Sequence, residues 1–283
     1  MDCQWTTLVH ILPLWMRESV TVLQSQCLQE IRLRIGFGPS LVCKDKRIRL
    51  QRVITKEDLA FCINTASRYS PWSSQTITRG FITVQGGHRI GICGSVAMQN
   101  DKLISIREVS SLCVRVARQF PGIGERAAAI QGNILILGRP GSGKSTLLRD
   151  IIRSKSIRGR TICVIDERQE IFPCVEGVPC FQTGENTDIL SGCTKAEGID
   201  IATRVMNPDM IAVDEITARS DCESLINAGW CGISLLATAH ASNKQDFFER
   251  PVYKPLVESR LFDTLIILQM DKSWRTERVQ YDH

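Results

Sequence analysis

Eight consecutive residues carry the clearest chemical signal in the sequence: Gly138-Arg139-Pro140-Gly141-Ser142-Gly143-Lys144-Ser145. They fit the phosphate-binding pattern G-x-x-x-x-G-K-[ST] at every fixed position. The glycines let successive backbone N–H groups point inward at phosphate oxygens, and the adjoining helix N-terminus adds positive potential. We expect Lys144 to reach the β- and γ-phosphates of ATP and Ser145 to ligate Mg²⁺.

The residues on either side of this loop have the pattern that the motif requires. An apolar run at 133–137 precedes it, and the helix-forming run Thr146–Ile152 follows it. A strand, a loop and a helix in that order distinguish a phosphate-binding loop from a chance glycine-rich turn. Residues 138–146 are therefore predicted to bind the nucleotide.

Hydrolysis of a bound nucleotide needs further groups, and an acidic pair follows a later apolar run. Met210–Val213 leads directly into Asp214 and Glu215. We expect Asp214 to hold the Mg²⁺ and Glu215 to polarise the attacking water. The other interpretation, an acidic turn after a buried strand, is less favoured because a phosphate-binding loop lies upstream.

Two more predicted strands end in polar side chains. Ile162–Ile165 is followed by Asp166 and Glu167, which compete with Glu215 for the role of base. His240 closes a later apolar run and is a candidate sensor of the γ-phosphate. Because the C-terminal ends of parallel strands share one edge of a sheet, these groups are predicted to lie near the loop.

Four arginines lie in or beside β-like segments of the first half: Arg79, Arg89, Arg107 and Arg115. A transferring γ-phosphoryl group develops charge that an arginine from a neighbouring subunit can stabilise, an effect of roughly 10³–10⁵ in rate. Most surface arginines are only solvated, so no single one of these arginines carries the prediction; it depends on the presence of all four together. The set suggests arginines that act between the subunits of a ring.

Composition limits the classes of protein. The chain has 283 residues, 43% of them hydrophobic, and its net charge of +5 is too small to indicate a nucleic-acid protein. Its twelve cysteines include no C-x-x-C, which disfavours a zinc site, and are interpreted as small buried residues in a reducing cytosol. The N-terminal stretch lacks a signal peptide's basic region, and no apolar run reaches the ~18 residues of a spanning helix. We expect a cytoplasmic protein without a membrane-inserted segment.

Turn residues and periodicity predict two domains. The predicted linker at 120–124 reads Phe-Pro-Gly-Ile-Gly and separates an α+β domain at 1–124 from a nucleotide-binding α/β domain at 125–283. The first domain has helical spacing at 21–32 and about 55–67, strand-like runs at 30–35 and 40–43, and a hairpin at 80–93 joined by Gly86-Gly87. The second has predicted strands at 133–137, 161–165, 210–213 and 233–238. Their alternation with helices predicts a parallel sheet that is covered on both faces.

Several segments besides the phosphate-binding loop match a known family. They are Glu30–Arg34, Gly80–Gly91, Ile165–Ile171, Gly192–Gly198, Pro208–Ile216 and Ala237–His240. On these residues the chain resembles the stage III sporulation protein AA family of endospore-forming bacteria, which is similar to the secretion ATPases of type II, type IV pilus and type IV systems. The resemblance covers nearly the whole chain. It implies a P-loop NTPase fold, with a RecA-like secretion-ATPase core and a mostly parallel sheet, preceded by a smaller α+β domain.

The same resemblance implies a function. It implies a Mg²⁺-dependent ATPase in the mother cell that energises a secretion-like channel to the forespore. The ATPase would work as a hexameric ring and reach the membrane through an integral-membrane partner. The resemblance also implies an Asp-box glutamate at Glu167 or Glu170, a His box at His240, and arginines that reach a neighbouring nucleotide at Arg79 and Arg89.

Two other functions stay open. A nucleotide-switched scaffold would bind ATP with negligible turnover, which the intact Asp214-Glu215 pair disfavours. An ATP-dependent nucleic-acid-binding protein would need aromatic residues interleaved with basic clusters. The three Tyr, nine Phe and five Trp of this chain show no such arrangement, so we expect no nucleic-acid partner.

Overall fold

The computed structural model describes residues 3–23, 28–43, 46–68, 80–99 and 102–281. The chain forms two compact units: the first comprises Met1–Arg118 and Pro173–Phe181, and the second comprises Gln119–Phe172 and Gln182–His283. The domain division proposed at residue 124 stays a prediction, since compact packing alone does not show independent folding.

The helices in the described residues are, in chain order, α1 (Cys3–His10), α2 (Leu14–Val22), α3 (Lys56–Arg68), α4 (Glu125–Ala128), α5 (Lys144–Ile157), α6 (Lys195–Ile201), α7 (Arg219–Trp230), α8 (Lys244–Glu249) and α9 (Lys254–Glu258). A π-helical turn at Ala202–Met206 continues α6, and a 3₁₀ turn at Pro251–Tyr253 precedes α9. None of the helices in the described part of the chain is long and apolar enough to cross a membrane.

The strands are β1 (Leu28–Arg34), β2 (Ser40–Cys43), β3 (Lys46–Arg49), β4 (Phe81–Val84), β5 (His88–Gln99), β6 (Lys102–Arg115), β7 (Ile134–Gly138), β8 (Ile162–Asp166), β9 (Cys174–Val175), β10 (Val178–Pro179), β11 (Thr187–Ser191), β12 (Met210–Val213), β13 (Ser234–Ala239), β14 (Thr264–Leu268) and β15 (Trp274–Arg278). The first unit holds an antiparallel sheet with the order β3-β2-β1-β6-β5-β4 and the small ribbon β9-β10. Its core lies under the buried face of this sheet and includes Leu8, Met16, Ile31 and Leu112.

The hairpin predicted at 80–93 is confirmed by the pairing of β4 with β5. Gly86 and Gly87 both have positive φ, +90° and +77°. A turn with two such residues suits the twist of a hairpin and favours glycine at both positions. The helix predicted at about 55–67 is likewise confirmed by α3.

The C-terminal part of the helix predicted at 21–32 is wrong, because the strand β1 begins at Leu28; residues 24–27 lie outside the described residues. The pairing of β1 with β2 shifts register between Leu28 and Glu30, as in a β-bulge. With this irregularity Leu28 and Ile31 are both buried although they are three positions apart. A bulged strand therefore imitated helical spacing, and pairing with β2 and β6 decided the structure.

The second unit holds a sheet with the order β11-β8-β12-β13-β7-β14-β15, parallel except for the antiparallel edge strand β15. Every residue of β7, β8, β12 and β14 is buried, as expected of parallel strands covered on both faces. The four strands predicted for this half are confirmed within a residue. Since β8, β12, β13 and β7 are successive neighbours, the loops after them emerge along one edge of the sheet.

Helix α5 forms hydrogen bonds with the segment at 120–124, which precedes the sheet in the chain. The Asp150 carboxylate accepts hydrogen bonds from the N–H groups of Gly122 (2.9 Å) and Gly124 (2.6 Å). A Cβ atom on Gly124 would lie 2.6 Å from the backbone nitrogen of Ile151. The segment predicted as a linker therefore packs tightly on α5 within the second unit.

Candidate functional site

The phosphate-binding loop connects the end of β7 to the start of α5. Gly141 and Gly143 have φ values of +75° and +103°, in the region that favours glycine. The Ser142 N–H donates to the Arg139 carbonyl at 3.2 Å and closes the turn. A Cβ on Gly138 would lie 2.5 Å from the Ser142 hydroxyl, so packing requires glycine there as well.

Lys144, the first residue of α5, folds back over this loop. Its ammonium donates to the carbonyls of Gly138 (2.9 Å) and Arg139 (3.2 Å). Burial lowers the pKa of Lys144, and the nearby carboxylates of Asp214 and Glu215 oppose that effect. The lysine thus lies at the mouth of the loop, close to the residues that follow β12.

His240 connects Lys144 to Glu215. The Lys144 Nζ lies 3.0 Å from His240 Nδ1, and His240 Nε2 lies 2.9 Å from Glu215 Oε1. An ammonium group has only donors, so Nδ1 must accept, and the ring is neutral with its proton on Nε2 facing Glu215. The structure therefore brings together three of the residues predicted from the sequence.

The acidic pair after β12 is fixed by Thr238 of β13. The buried Thr238 hydroxyl donates to Asp214 Oδ1 at 2.6 Å and accepts the Glu215 N–H at 2.8 Å. Glu215 itself has a φ of +43°, an unusual conformation for a residue with a side chain. The Tyr253 hydroxyl accepts the His240 N–H at 3.1 Å, so the histidine backbone is held too.

Asp166, at the end of β8, forms hydrogen bonds with the backbone of the turn that follows the strand. Its carboxylate accepts the N–H groups of Glu170 (2.8 Å), Ile171 (3.0 Å) and Phe172 (2.8 Å). Burial raises the pKa of Asp166 to about 6 against the effect of these hydrogen bonds. The buried Arg149 of α5 donates to the carbonyls of Glu170 and Ile171. We assign Asp166 to holding this turn.

Glu167 borders a pocket and pairs with a lysine from α6. Lys195 Nζ lies 2.6 Å from Glu167 Oε2. The pocket is lined by Ile165, Asp166, Glu167, Arg168, Glu170, Lys195, Asp214 and Glu215. The structure thus gathers the acidic candidates from the ends of β8 and β12 in one pocket.

The remaining predicted residues are distributed as follows. Ser145 and Thr146 lie half-buried in the first turn of α5, and Arg139 donates to the Ser242 hydroxyl at 3.2 Å. Arg89 lies in β5 of the first unit with its guanidinium 3.8 Å from the centre of the Phe81 ring. Arg79 lies outside the described residues.

Three residues of the site have no role assigned from the sequence. Lys272, in the turn after β14, donates to the Gly141 carbonyl at 2.6 Å. Lys195 and Tyr253 contact Glu167 and His240, as described above. Each contact joins residues far apart in the chain or in separate elements, and no local sequence pattern marks it.

The donor set fits a magnesium ion. The Ser145 hydroxyl and the Asp214 carboxylate offer hard oxygen ligands, which Mg²⁺ prefers together with water and substrate phosphates. Asp214 is oriented by the short hydrogen bond from Thr238. The glycine conformations and the ammonium of Lys144 fit a nucleotide phosphate in the same way.

This loop lies beside the polar ends of β8, β12 and β13 on a mostly parallel sheet, which is the arrangement of a P-loop fold. The solved ATPase DotB of Legionella pneumophila is similar in fold, with a TM-score of 0.63 and 16% identity over 94% of this chain and 79% of that chain. The pilus retraction motor PilT with bound ADP has a TM-score of 0.57 and 14% identity over 88% and 76%. The predicted fold class is confirmed.

The chain belongs to the family described as sporulation stage III, protein AA, whose model matches residues 6–283. It is similar to the stage III sporulation protein AA of Bacillus subtilis (strain 168), with 32% identity over 289 aligned positions that cover 97% of this chain and 94% of the relative. The family resemblance predicted from the motifs is confirmed.

Proposed function

We propose that this chain is a Mg²⁺-dependent ATPase that energises a secretion-like transport complex during endospore formation. The observation that carries the proposal is the contact series from Lys144 through His240 to Glu215 beside the P-loop. Family membership and the shared secretion-ATPase fold support the biological setting.

The residues of the site have distinct roles in this proposal. ATP phosphates are stronger acceptors than the two carbonyls that Lys144 contacts, so the ammonium would turn to the β- and γ-phosphates. Glu215 would orient the attacking water and accept its proton, while neutral His240 donates to that carboxylate and senses the γ-phosphate. Ser145 and Asp214 would hold Mg²⁺, which neutralises developing phosphate charge when bound.

The setting is part of the same proposal. The chain would act at the cytoplasmic face of the mother-cell side of the forespore membrane, attached through an integral-membrane partner. It would form a hexameric ring in which arginines such as Arg79 and Arg89 reach the nucleotide of a neighbour. The lack of a spanning helix in the described residues is compatible with this attachment.

Phosphate release with and without Mg²⁺ tests the enzymatic part. We expect turnover that requires Mg²⁺ and that falls at least about 10²-fold in Lys144→Ala, because the charge that meets the transferred phosphoryl group is gone. Lys254→Ala is the matched control, since Lys254 is an exposed lysine paired only weakly with Glu258 at 3.7 Å. Turnover in Lys144→Ala equal to that of the wild type would contradict the proposed site.

A further inference from the structure

Lys195 occupies a position that electrostatics alone does not favour. It is the first residue of α6, where the helix dipole disfavours a cation, and its side chain is only 7% exposed. Its backbone is fixed by the capping box in which Thr194 and Glu197 exchange hydrogen bonds. A buried ammonium at such a place needs compensating carboxylates.

Two carboxylates from different elements supply that compensation. Glu167, in the turn after β8, accepts at 2.6 Å, and Asp221, in the first turn of α7, lies 3.8 Å away. Asp221 also accepts the N–H groups of Thr217 (3.0 Å) and Ala218 (3.1 Å) in the loop that follows Glu215. Lys195 therefore links the turn after β8 to the loop after β12.

The link through Lys195 matters because of the negative charges that line the neighbouring pocket. Five carboxylates line it, those of Asp166, Glu167, Glu170, Asp214 and Glu215. Like charges at such short range repel one another, and a free Glu167 would turn away from the others. Its pairing with the buried ammonium of Lys195 fixes one orientation of the Glu167 carboxylate.

We propose that Lys195 is a positioning residue of the site, which holds Glu167 beside Asp214 and Glu215 and keeps the loops after β8 and β12 in one arrangement. This inference rests on the proposed ATPase function. It also favours Glu215 as the base, because the Glu167 carboxylate accepts from the Lys195 ammonium whereas the Glu215 carboxylate faces the His240 ring.

The test is a double-mutant cycle on kcat and KM for MgATP. We expect Lys195→Met and Glu167→Gln each to lower kcat about tenfold, with KM changed less than about threefold, because the interaction acts on the reacting geometry. The double variant should lose no more than either single variant, since the two residues act as one unit. Lys195→Arg should recover most of kcat, because a guanidinium also donates to a carboxylate.

Two further measurements complete the design. Binding of a fluorescent ATP analogue should stay within about threefold of wild type in all variants, and Lys254→Met, an exposed lysine, should change nothing. If Lys195→Met fails to fold, Lys195→Arg and Glu167→Gln decide, since Lys195→Arg keeps a cation between Glu167 and Asp221 and Glu167→Gln leaves the Lys195–Asp221 pair in place.

The outcomes separate the two proposals. Wild-type kcat in Lys195→Met, or losses that multiply in the double variant, would overturn the positioning role and leave the ATPase proposal intact. Binding of the analogue by a wild-type protein without any turnover would overturn both.

Discussion

The neutral ring of His240 lies between the ammonium of Lys144 and the carboxylate of Glu215, and these two neighbours hold it in place. The ring accepts from Lys144 and donates to Glu215, so its tautomer is set by its neighbours. A ligand that draws Lys144 away removes the donor from Nδ1 and changes the environment of the ring. We therefore expect the state of the loop to affect Glu215, the residue proposed to activate water.

Tyr253 holds the backbone of this histidine, and its hydroxyl group can be removed cleanly. We expect Tyr253→Phe to lower kcat severalfold and to destabilise the protein by about 1 kcal/mol, because the partly buried His240 N–H loses its acceptor. Tyr281→Phe is the matched control, since its hydroxyl donates to the Phe262 carbonyl at 2.8 Å and touches no site residue. A similar loss of stability with unchanged kcat is expected there; an equal loss of kcat in both variants would contradict the role of Tyr253.

Lys155 of α5 predicts a pH dependence of stability. Burial, followed by the charges of Arg160 and Arg158, lowers the pKa of Lys155 from 10.5 to about 8. The folded state therefore binds this proton less tightly than the unfolded state, and the free energy of unfolding should rise as the pH rises from about 8 to 10.5. The rise is at most about 3.5 kcal/mol, at about 1.4 kcal/mol for each of roughly 2.5 pKa units.

Denaturant unfolding of wild type and Lys155→Met at pH 7, 9 and 10 measures this effect. The Met variant keeps the buried stem without the charge, so its advantage over wild type should shrink as the pH rises. Lys254→Met, at an exposed position, corrects for general effects of pH. A wild type whose stability relative to Lys155→Met stays constant above pH 8 would show that the charge of Lys155 costs nothing.

Among the elements, α5 is positioned by close backbone approach rather than by side chains alone. Gly124→Ala would place a Cβ 2.6 Å from the Ile151 nitrogen and 2.8 Å from the Asp150 carbonyl carbon. We expect a loss of about 2–3 kcal/mol, because backbone atoms cannot yield as a side chain can. Calorimetry should show a thermal midpoint lower by several degrees.

Gly91→Ala is the matched substitution in the first unit. Its Cβ would meet the Cys113 carbonyl oxygen at 3.7 Å, an ordinary van der Waals contact. The midpoint should change by less than about 1–2 °C. Equal stability of Gly124→Ala and wild type would mean that the segment at 122–124 moves freely away from α5.

Elements differ in how far the sequence determines them. The strands β7, β8, β12 and β13 were predictable, because unbroken apolar runs bounded by polar strand ends have few other interpretations. The C-terminal part of the helix predicted at 21–32 was wrong because a bulge in β1 gave its apolar residues a helical spacing. The segment Pro173–Phe181 belongs to the first unit through contacts with residues far away in the chain, such as Phe181 against Gly87. No local sequence pattern predicts this packing.

The residues of the site also differ in how far the sequence predicts them. The loop at 138–145, Asp214, Glu215 and His240 follow from motif and strand position together. The contacts of Lys195 and Lys272 do not, since each depends on which elements become neighbours in the folded unit. A lysine in a helix or a turn has no local mark that separates a buried partner of Glu167 from a solvated charge.

At the scale of the whole molecule, the proposed ring with shared sites predicts that two inactive variants can complement each other. Arg89→Ala and Lys144→Ala should each be nearly inactive, and a mixture of the two should regain activity. The reason is that mixed rings of the proposed kind would contain interfaces with an intact P-loop from one subunit and an intact arginine from the next. A mixture that stays as inactive as its components, although the subunits assemble together, would contradict arginines acting between subunits.

Single-turnover conversion of bound [γ-³²P]ATP by the assembled protein, with Glu215→Gln compared with wild type, tests whether Glu215 activates the attacking water. Glutamine keeps the size of the side chain but cannot accept the proton of water, so binding should be retained while phosphate formation falls at least about 10²-fold. We expect ATP to stay intact on Glu215→Gln and phosphate to form rapidly on wild type. Equal rates of phosphate formation in the two proteins would contradict this role.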